Sequence, residues 1–205
     1  MPSLPEPKDV FADAIAEHQS VVSLLGELHP ILERIAVRMT ETIQSGRKIL
    51  WCGNGGSAAD SQHLAAEFVG RFRRERRGLP SIALTTDTSV LTSIANDYGY
   101  EDVFRRQVEA HCLTGDMLVG ISTSGMSKNV CAALRAARDL GAFTVAFTGA
   151  DGGIARTIAH ATLCIPSKNT ARIQECHILC GHVLCDWIDR IVCGAQSAET
   201  EETAG

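Results

Sequence analysis

Lys48-Ile49-Leu50-Trp51-Cys52-Gly53-Asn54-Gly55-Gly56-Ser57 is the stretch on which the fold turns. Ile49–Cys52 is apolar without interruption, where a strand with one wet face would alternate, so the pattern predicts a strand over Lys48–Cys52 covered on both sides. A glycine-rich turn follows, and a helix is expected over Ala58–Val69. Strand, tight turn and helix in that order open a parallel-sheet unit.

The same unit recurs toward the C-terminus. Ser81–Leu84 reads as a second strand, followed by helical stretches near Val90–Ala95 and Val103–His111. Met117–Ile121 is a third, then the turn Ser122–Ser127 and a helix over Asn129–Leu140. Thr144–Phe147 is a fourth with a short helix at Ile154–Ile158, and Thr162–Ile165 a fifth with a long helix from Ala171 to Val192. Toward the N-terminus, Val10–Leu28 and Pro30–Ile43 carry apolar residues at helical spacing, and Pro30 suits a break with a fresh helix start. The expected architecture is an α/β three-layer sandwich with a five-stranded parallel sheet. Residues 1–47 form an N-terminal helical extension of the same domain, 48–193 the sheet domain, and 194–205 a disordered acidic tail.

Composition narrows the function. Apolar residues make up 45% and charged residues 21%, a globular balance. The net charge of −5 supplies no global field for nucleic acid or an anionic membrane, so neither is an expected partner. The longest runs free of Asp, Glu, Lys and Arg, such as Ile49–Ala59, are eleven residues, and a spanning helix needs about 20. MPSLPEPKDV holds no apolar core for a secretory signal, so a cytoplasmic location is expected. The eight cysteines include no CxxC pair and sit in apolar runs, which reads as reduced, packed thiols.

Two turns after strands stand out, because ligands in open α/β sheets bind beyond the carboxyl ends of strands. Asn54-Gly55-Gly56-Ser57 lets backbone N–H groups approach an anion at a helix N-terminus; it matches neither a P-loop nor a dinucleotide fingerprint. Ser122-Thr123-Ser124-Gly125-Met126-Ser127 offers four hydroxyls at a second helix start, where one would serve as a cap. Hydroxyl and amide donors without a lysine suit the phosphate of a sugar better than a transferring γ-phosphoryl group.

His63 and Glu67 are four apart and share a helix face; spacing alone fits a surface pair as well as a ligand-facing one. His182 has apolar neighbours on one face and, alone, reads as a core histidine. Gln174 and His182 are eight residues apart, about 12 Å along a helix. They converge on one point only if their side chains lean together or one comes from a neighbouring subunit. The basic run Arg71–Gly78 (RFRRERRG) reads as a solvated interhelical loop.

CGNGGSAADSQHLAAEF, LTSIANDYGYEDVF, GDMLVGISTSGMSKNV and TARIQECHILCGHVLCDWID, in that order, resemble the sugar isomerase (SIS) domain family, most closely its phosphoheptose isomerases, over roughly residues 10–193. The resemblance implies an intramolecular oxidoreductase converting sedoheptulose 7-phosphate to D-glycero-D-manno-heptose 7-phosphate through an enediol, the first step of nucleotide-activated heptose biosynthesis. By the same resemblance Glu67 and His182 are the acid/base pair. Asn54, Gly55, Gly56, Ser57, Glu67, Asn96, Asp97, Ser122, Thr123, Ser124, Ser127 and Gln174 bind substrate. His63, Glu67, Gln174 and His182 hold one zinc ion per subunit of a homotetramer with sites at subunit contacts. One departure is Thr170-Ala171 before Arg172, where some members carry an Asp. The alternative is a non-catalytic adaptor of the same fold that binds the replication initiator DnaA. That relative lacks the acidic residue and the histidine found here at Glu67 and His182.

Overall fold

The computed structural model describes residues 7–202. Five strands, β1 (Ile49–Gly53), β2 (Ser81–Ala83), β3 (Met117–Ile121), β4 (Phe143–Gly149) and β5 (Ala161–Ile165), form one parallel sheet in the order β2-β1-β3-β4-β5. The register sets Ile49 beside Met117 and Ser81, and Met117 beside Phe143. The helices are α1 (Pro7–Ser23), α2 (His29–Gln44), α3 (Gly56–Val69), α4 (Thr88–Asp97), α5 (Arg105–His111), α6 (Lys128–Asp139), α7 (Gly153–Ile158) and α8 (Thr170–Glu202).

Successive strand residues supply two cores. Ile49, Trp51, Val119, Ile121 and Phe147 pack under α2, α3 and α8 through Met39, Leu64, Phe68, Cys180 and Leu184. Leu50, Cys52, Leu118 and Ala146 face the other way, under α5, α6 and α7 through Val108, Leu134 and Ala155. Both faces are dry, which is why the strands read as unbroken apolar runs. Trp51 is wholly buried and its indole N–H donates to Ser81 Oγ at 2.8 Å, tying β1 to the edge strand.

Element boundaries depart from expectation in two places. The first helix stops at Ser23, and a 3₁₀ turn over Leu25–Leu28 leads into α2, with Pro30 in its first turn, where a missing N–H costs nothing. The last helix carries on to Glu202 through residues assigned from sequence to an unstructured tail; Ala and Glu there are good helix formers. Residues 1–6 of the expected extension and 203–205 of the expected tail lie outside the described residues. No disulfide joins the cysteines among the described residues, and burial pushes the Cys52, Cys180 and Cys185 thiols up to about 12, so they stay protonated and unreactive. Among the described residues no helix is long and apolar enough to cross a membrane.

Candidate active site

The chain leaves β1 through α3 toward β2 on one face, and leaves β3 through α6 toward β4 on the other. Two neighbouring strands with diverging connections open a crevice at their carboxyl ends. Both singled-out turns line it.

In the first, Gly55 takes φ +56° and begins α3. A Cβ on Gly56 would lie 2.5 Å from Gln174 Nε2, so the bare backbone is what admits the Gln174 amide to the head of α3. Asn54 and Asn129 exchange amide hydrogen bonds, Nδ2 to Oδ1 at 2.9 Å and back at 2.8 Å, and Tyr100 donates its hydroxyl to Asn54 Oδ1 at 3.1 Å. The Asn54–Asn129 bonds tie the first turn to the head of α6, which follows the second turn.

In the second, Ser122 and Ser127 hydroxyls pair at 2.9 Å and Met126 N–H donates to Ser124 Oγ at 3.2 Å. Gly125 sits at φ +64° with the Gly152 carbonyl 2.0 Å from where a Cβ would be, so only glycine fits. Ser122 is buried, Thr123 and Ser127 are half-buried, and Ser124 is exposed. The loop is a pre-shaped ring of donors at the start of α6, suited to an anion.

Further down α3 lies a different constellation. His63 Nε2 is 3.1 Å from Glu67 Oε1 and 3.3 Å from His182 Nε2, and ligand atoms of all three lie within 4.8 Å of one another. The Phe72 ring stacks on His182 at 5.2 Å between centroids. Burial, and then the neighbouring His63, hold the His182 imidazole below its ordinary pKa, leaving it neutral with a lone pair available near pH 7. Asp60, one turn before His63, has an Oδ2 that is buried without a hydrogen-bond partner, and burial raises its pKa.

The cluster fits a zinc ion on its own geometry. Ligands about 2.1 Å from a tetrahedral metal stand about 3.4 Å from one another, and the 3.1 and 3.3 Å separations match that edge. Gln174 does not join it within one chain. Its amide lies at Gly56, seven residues before His63, about 10 Å along α3. Asn96 and Asp97 are both exposed at the end of α4, bonded to each other at 2.8 Å.

Sequence reasoning missed three supports of the site: Asn129, Phe72, and the ion pair of Arg76 with Asp189. The run Arg71–Gly78 is not simply solvated, because the Arg76 and Asp189 side chains are 2% and 0% exposed. An Asp on the buried side of an apolar helix, next to Ile188 and one turn after Cys185, is the signal that a cation must come to meet it.

The sequence profile of the SIS domain family matches residues 11–149. The phosphoheptose isomerase of Roseiflexus sp. (strain RS-1) is 63% identical over 161 residues, covering 78% of this chain and 82% of that protein. The phosphoheptose isomerase of Aquifex aeolicus is 58% identical, covering 78% and 83%. The structure of phosphoheptose isomerase from Neisseria gonorrhoeae superposes with a TM-score of 0.86 at 43% identity, covering 90% of this chain and all (100%) of that one. With the sheet order, the crevice turns and these likenesses in hand, the chain belongs to the SIS domain family and, within it, to the phosphoheptose isomerases.

Proposed function

We propose that this protein is an aldose–ketose isomerase that converts sedoheptulose 7-phosphate to D-glycero-D-manno-heptose 7-phosphate, the entry step to nucleotide-activated heptose. The observation that carries the reading is the convergence of one carboxylate, Glu67, with two imidazoles in a chain whose strand ends carry a pre-shaped anion loop. Glu67 takes the C1 proton of the ketose while His182 donates a proton to O2, giving the cis-enediol. The O1 proton then passes to His182 and Glu67 returns its proton to C2, so atoms and charge balance. Ser122, Thr123, Ser124 and Ser127 hold the remote phosphate and so orient the reacting end. Asn54, Gly55, Gly56, Ser57 and Gln174 line the crevice, and Asn96 and Asp97 hold sugar hydroxyls.

Zinc, one per subunit on His63, Glu67 and His182 with Gln174 as a further ligand, supplies Lewis acidity to the C1 and C2 oxygens when bound.

The working unit is the 48–193 domain with its 1–47 helical extension, assembled in the cytoplasm as a homotetramer. Two features support assembly. Glu67 lies eleven residues beyond Gly56, about 16 Å down α3, and no hydrogen bond among the described residues joins the cluster to either crevice turn. Beside His182, Leu179 and Val183 are 41% and 44% exposed, an apolar flank suited to cover by another copy. Each chain thus offers two half-sites, which neighbouring subunits complete.

The test is incubation with sedoheptulose 7-phosphate and detection of the aldose by NMR, with and without a chelator. Product formation is expected; none in either condition overturns the reading, and loss under the chelator alone assigns zinc a role. The comparisons lend no support to the DnaA-binding adaptor.

A further inference from the structure

No other ion pair among the described residues buries both partners as far as Arg76 and Asp189. Arg76 Nε donates to Asp189 Oδ1 at 2.6 Å, and the second carboxylate oxygen accepts the N–H groups of Arg73 at 2.8 Å and Arg74 at 3.0 Å. The rest of the guanidinium is directed at the end of α3. Nη2 donates to the Glu67 carbonyl at 2.9 Å, and Nη1 to the carbonyls of Phe68 at 2.9 Å, Gly70 at 3.2 Å and Arg77 at 3.1 Å. The Glu67 and Phe68 carbonyls lie in the last turn of α3 and Gly70 follows it, with few or no partners inside the helix, so Arg76 works as a side-chain cap, while its bond to Arg77 stays within the loop.

Each end of this contact leads to one member of the proposed proton-transfer pair. Arg76 binds the backbone of Glu67 itself. Asp189 lies seven residues after His182, two turns along the same side of α8. The loop pinned between them carries Phe72, whose ring stacks on His182. Burial opposes ionisation of Asp189, but the N–H groups of Arg73 and Arg74 and the Arg76 guanidinium outweigh it, and the carboxylate stays charged. Stability alone gives little reason for such a pair, since apolar side chains of equal volume do as well or better. An apolar pair has no means of holding carbonyls in a fixed direction.

We infer that Arg76 and Asp189 are positioning residues that set the separation and orientation of Glu67 and His182, and thereby govern turnover and not substrate affinity. The inference rests on the reading of Glu67 and His182 as the reacting pair.

The experiment compares wild type, Arg76→Ala, Arg76→Lys and Asp189→Asn for kcat and KM on sedoheptulose 7-phosphate, at a temperature where circular dichroism shows each folded. A displacement of about 1 Å lowers kcat about 100-fold, while KM is expected to stay within about twofold. Millimolar guanidinium should restore part of the lost kcat in Arg76→Ala and none in Asp189→Asn. Leu163→Ala, a truncation in the same core but on β5, lowers Tm without touching this contact and should leave kcat unchanged. Should Arg76→Ala not fold, the near-isosteric Asp189→Asn carries the test alone through the same split between kcat and KM. Unchanged kcat in the folded variants, KM moving in step with kcat, or an equal kcat loss in Leu163→Ala overturns the inference. Wild type without turnover overturns the isomerase reading instead, so the two failures are distinguishable.

Discussion

The crevice turns and the histidine–carboxylate cluster are built on different scales. Each turn is written in six or fewer consecutive residues and shaped by its own glycine and hydroxyls, as Ser122, Ser124 and Ser127 show by bonding within the loop. The cluster joins His63 to His182 across 119 positions, and depends on α3 and α8 lying side by side. A local device tolerates change elsewhere in the molecule; an assembled one is sensitive to every contact that sets its spacing. The turns are therefore expected to govern affinity and the cluster turnover, and the comparison can be broken by variants that move the wrong parameter.

The largest effect belongs to Glu67→Gln. Removing the base keeps the side chain's size and should cost about 10³-fold in kcat, with KM little changed. A loss in KM alone would place Glu67 in binding. Mixing follows from it. Ser124→Asp puts a negative charge where the phosphate sits and should abolish binding on its own. If sites combine turns from one subunit with a cluster from another, mixed oligomers of Glu67→Gln and Ser124→Asp regain activity, up to about a quarter of wild type for random assembly. A mixture as inactive as either variant alone would confine each site to one chain.

Two imidazoles on α8 sharpen the contrast further. His182 stands at the cluster, half-exposed; His177, five residues earlier, is wholly buried. Its Nε2 donates to the Thr148 carbonyl at 3.0 Å, which leaves Nδ1 as a bare, unpartnered acceptor. Burial lowers its pKa from 6.5 to about 4. The folded-state value lies below the unfolded one, so the contribution to stability is complete above pH 6.5 and is lost as pH falls toward 4. Across that window the unfolded chain binds a proton the fold refuses, a loss of about 3 kcal/mol. Urea unfolding at a series of pH values should show this slope in wild type and a flatter one in His177→Gln. An equal slope in both would assign the acid sensitivity elsewhere.

The same difference of scale explains what the sequence discloses. Five unbroken apolar runs, each closed by glycine or a polar turn, leave a doubly covered parallel sheet as the consistent reading, and β3 is seen at the residues expected. Glu67 and His63 are legible because helical spacing places them on one face. The convergence of His182 on them is not legible from spacing, since it is settled by packing of α3 against α8; the family resemblance, not periodicity, pointed to it. Arg76 was hidden in a basic run that looks solvated, and Asn129 in an ordinary helix start, because their partners lie 113 and 75 positions away. Gln174 shows the converse: the close backbone at Gly56 holds its amide at the crevice within the chain, so its proposed place among the metal ligands calls for a neighbouring subunit.

The smallest effect tests the turns most directly. Ser124 Oγ accepts from Met126 N–H at 3.2 Å, so its own hydroxyl proton is free to turn toward an anion. Ser124→Ala removes that donor and one local bond while Gly125 still fixes the loop's path. One hydrogen bond to a charged group is worth about 1.5 kcal/mol at the low end, so KM should rise about tenfold with kcat within about twofold. Inorganic phosphate, as a competitive inhibitor without the reacting carbons, should weaken by the same factor. A fall in kcat with inhibition by phosphate unchanged would mean that Ser124 acts on the reacting end, and the division between a local anchor and an assembled catalytic cluster would fail at the residue where it is most easily measured.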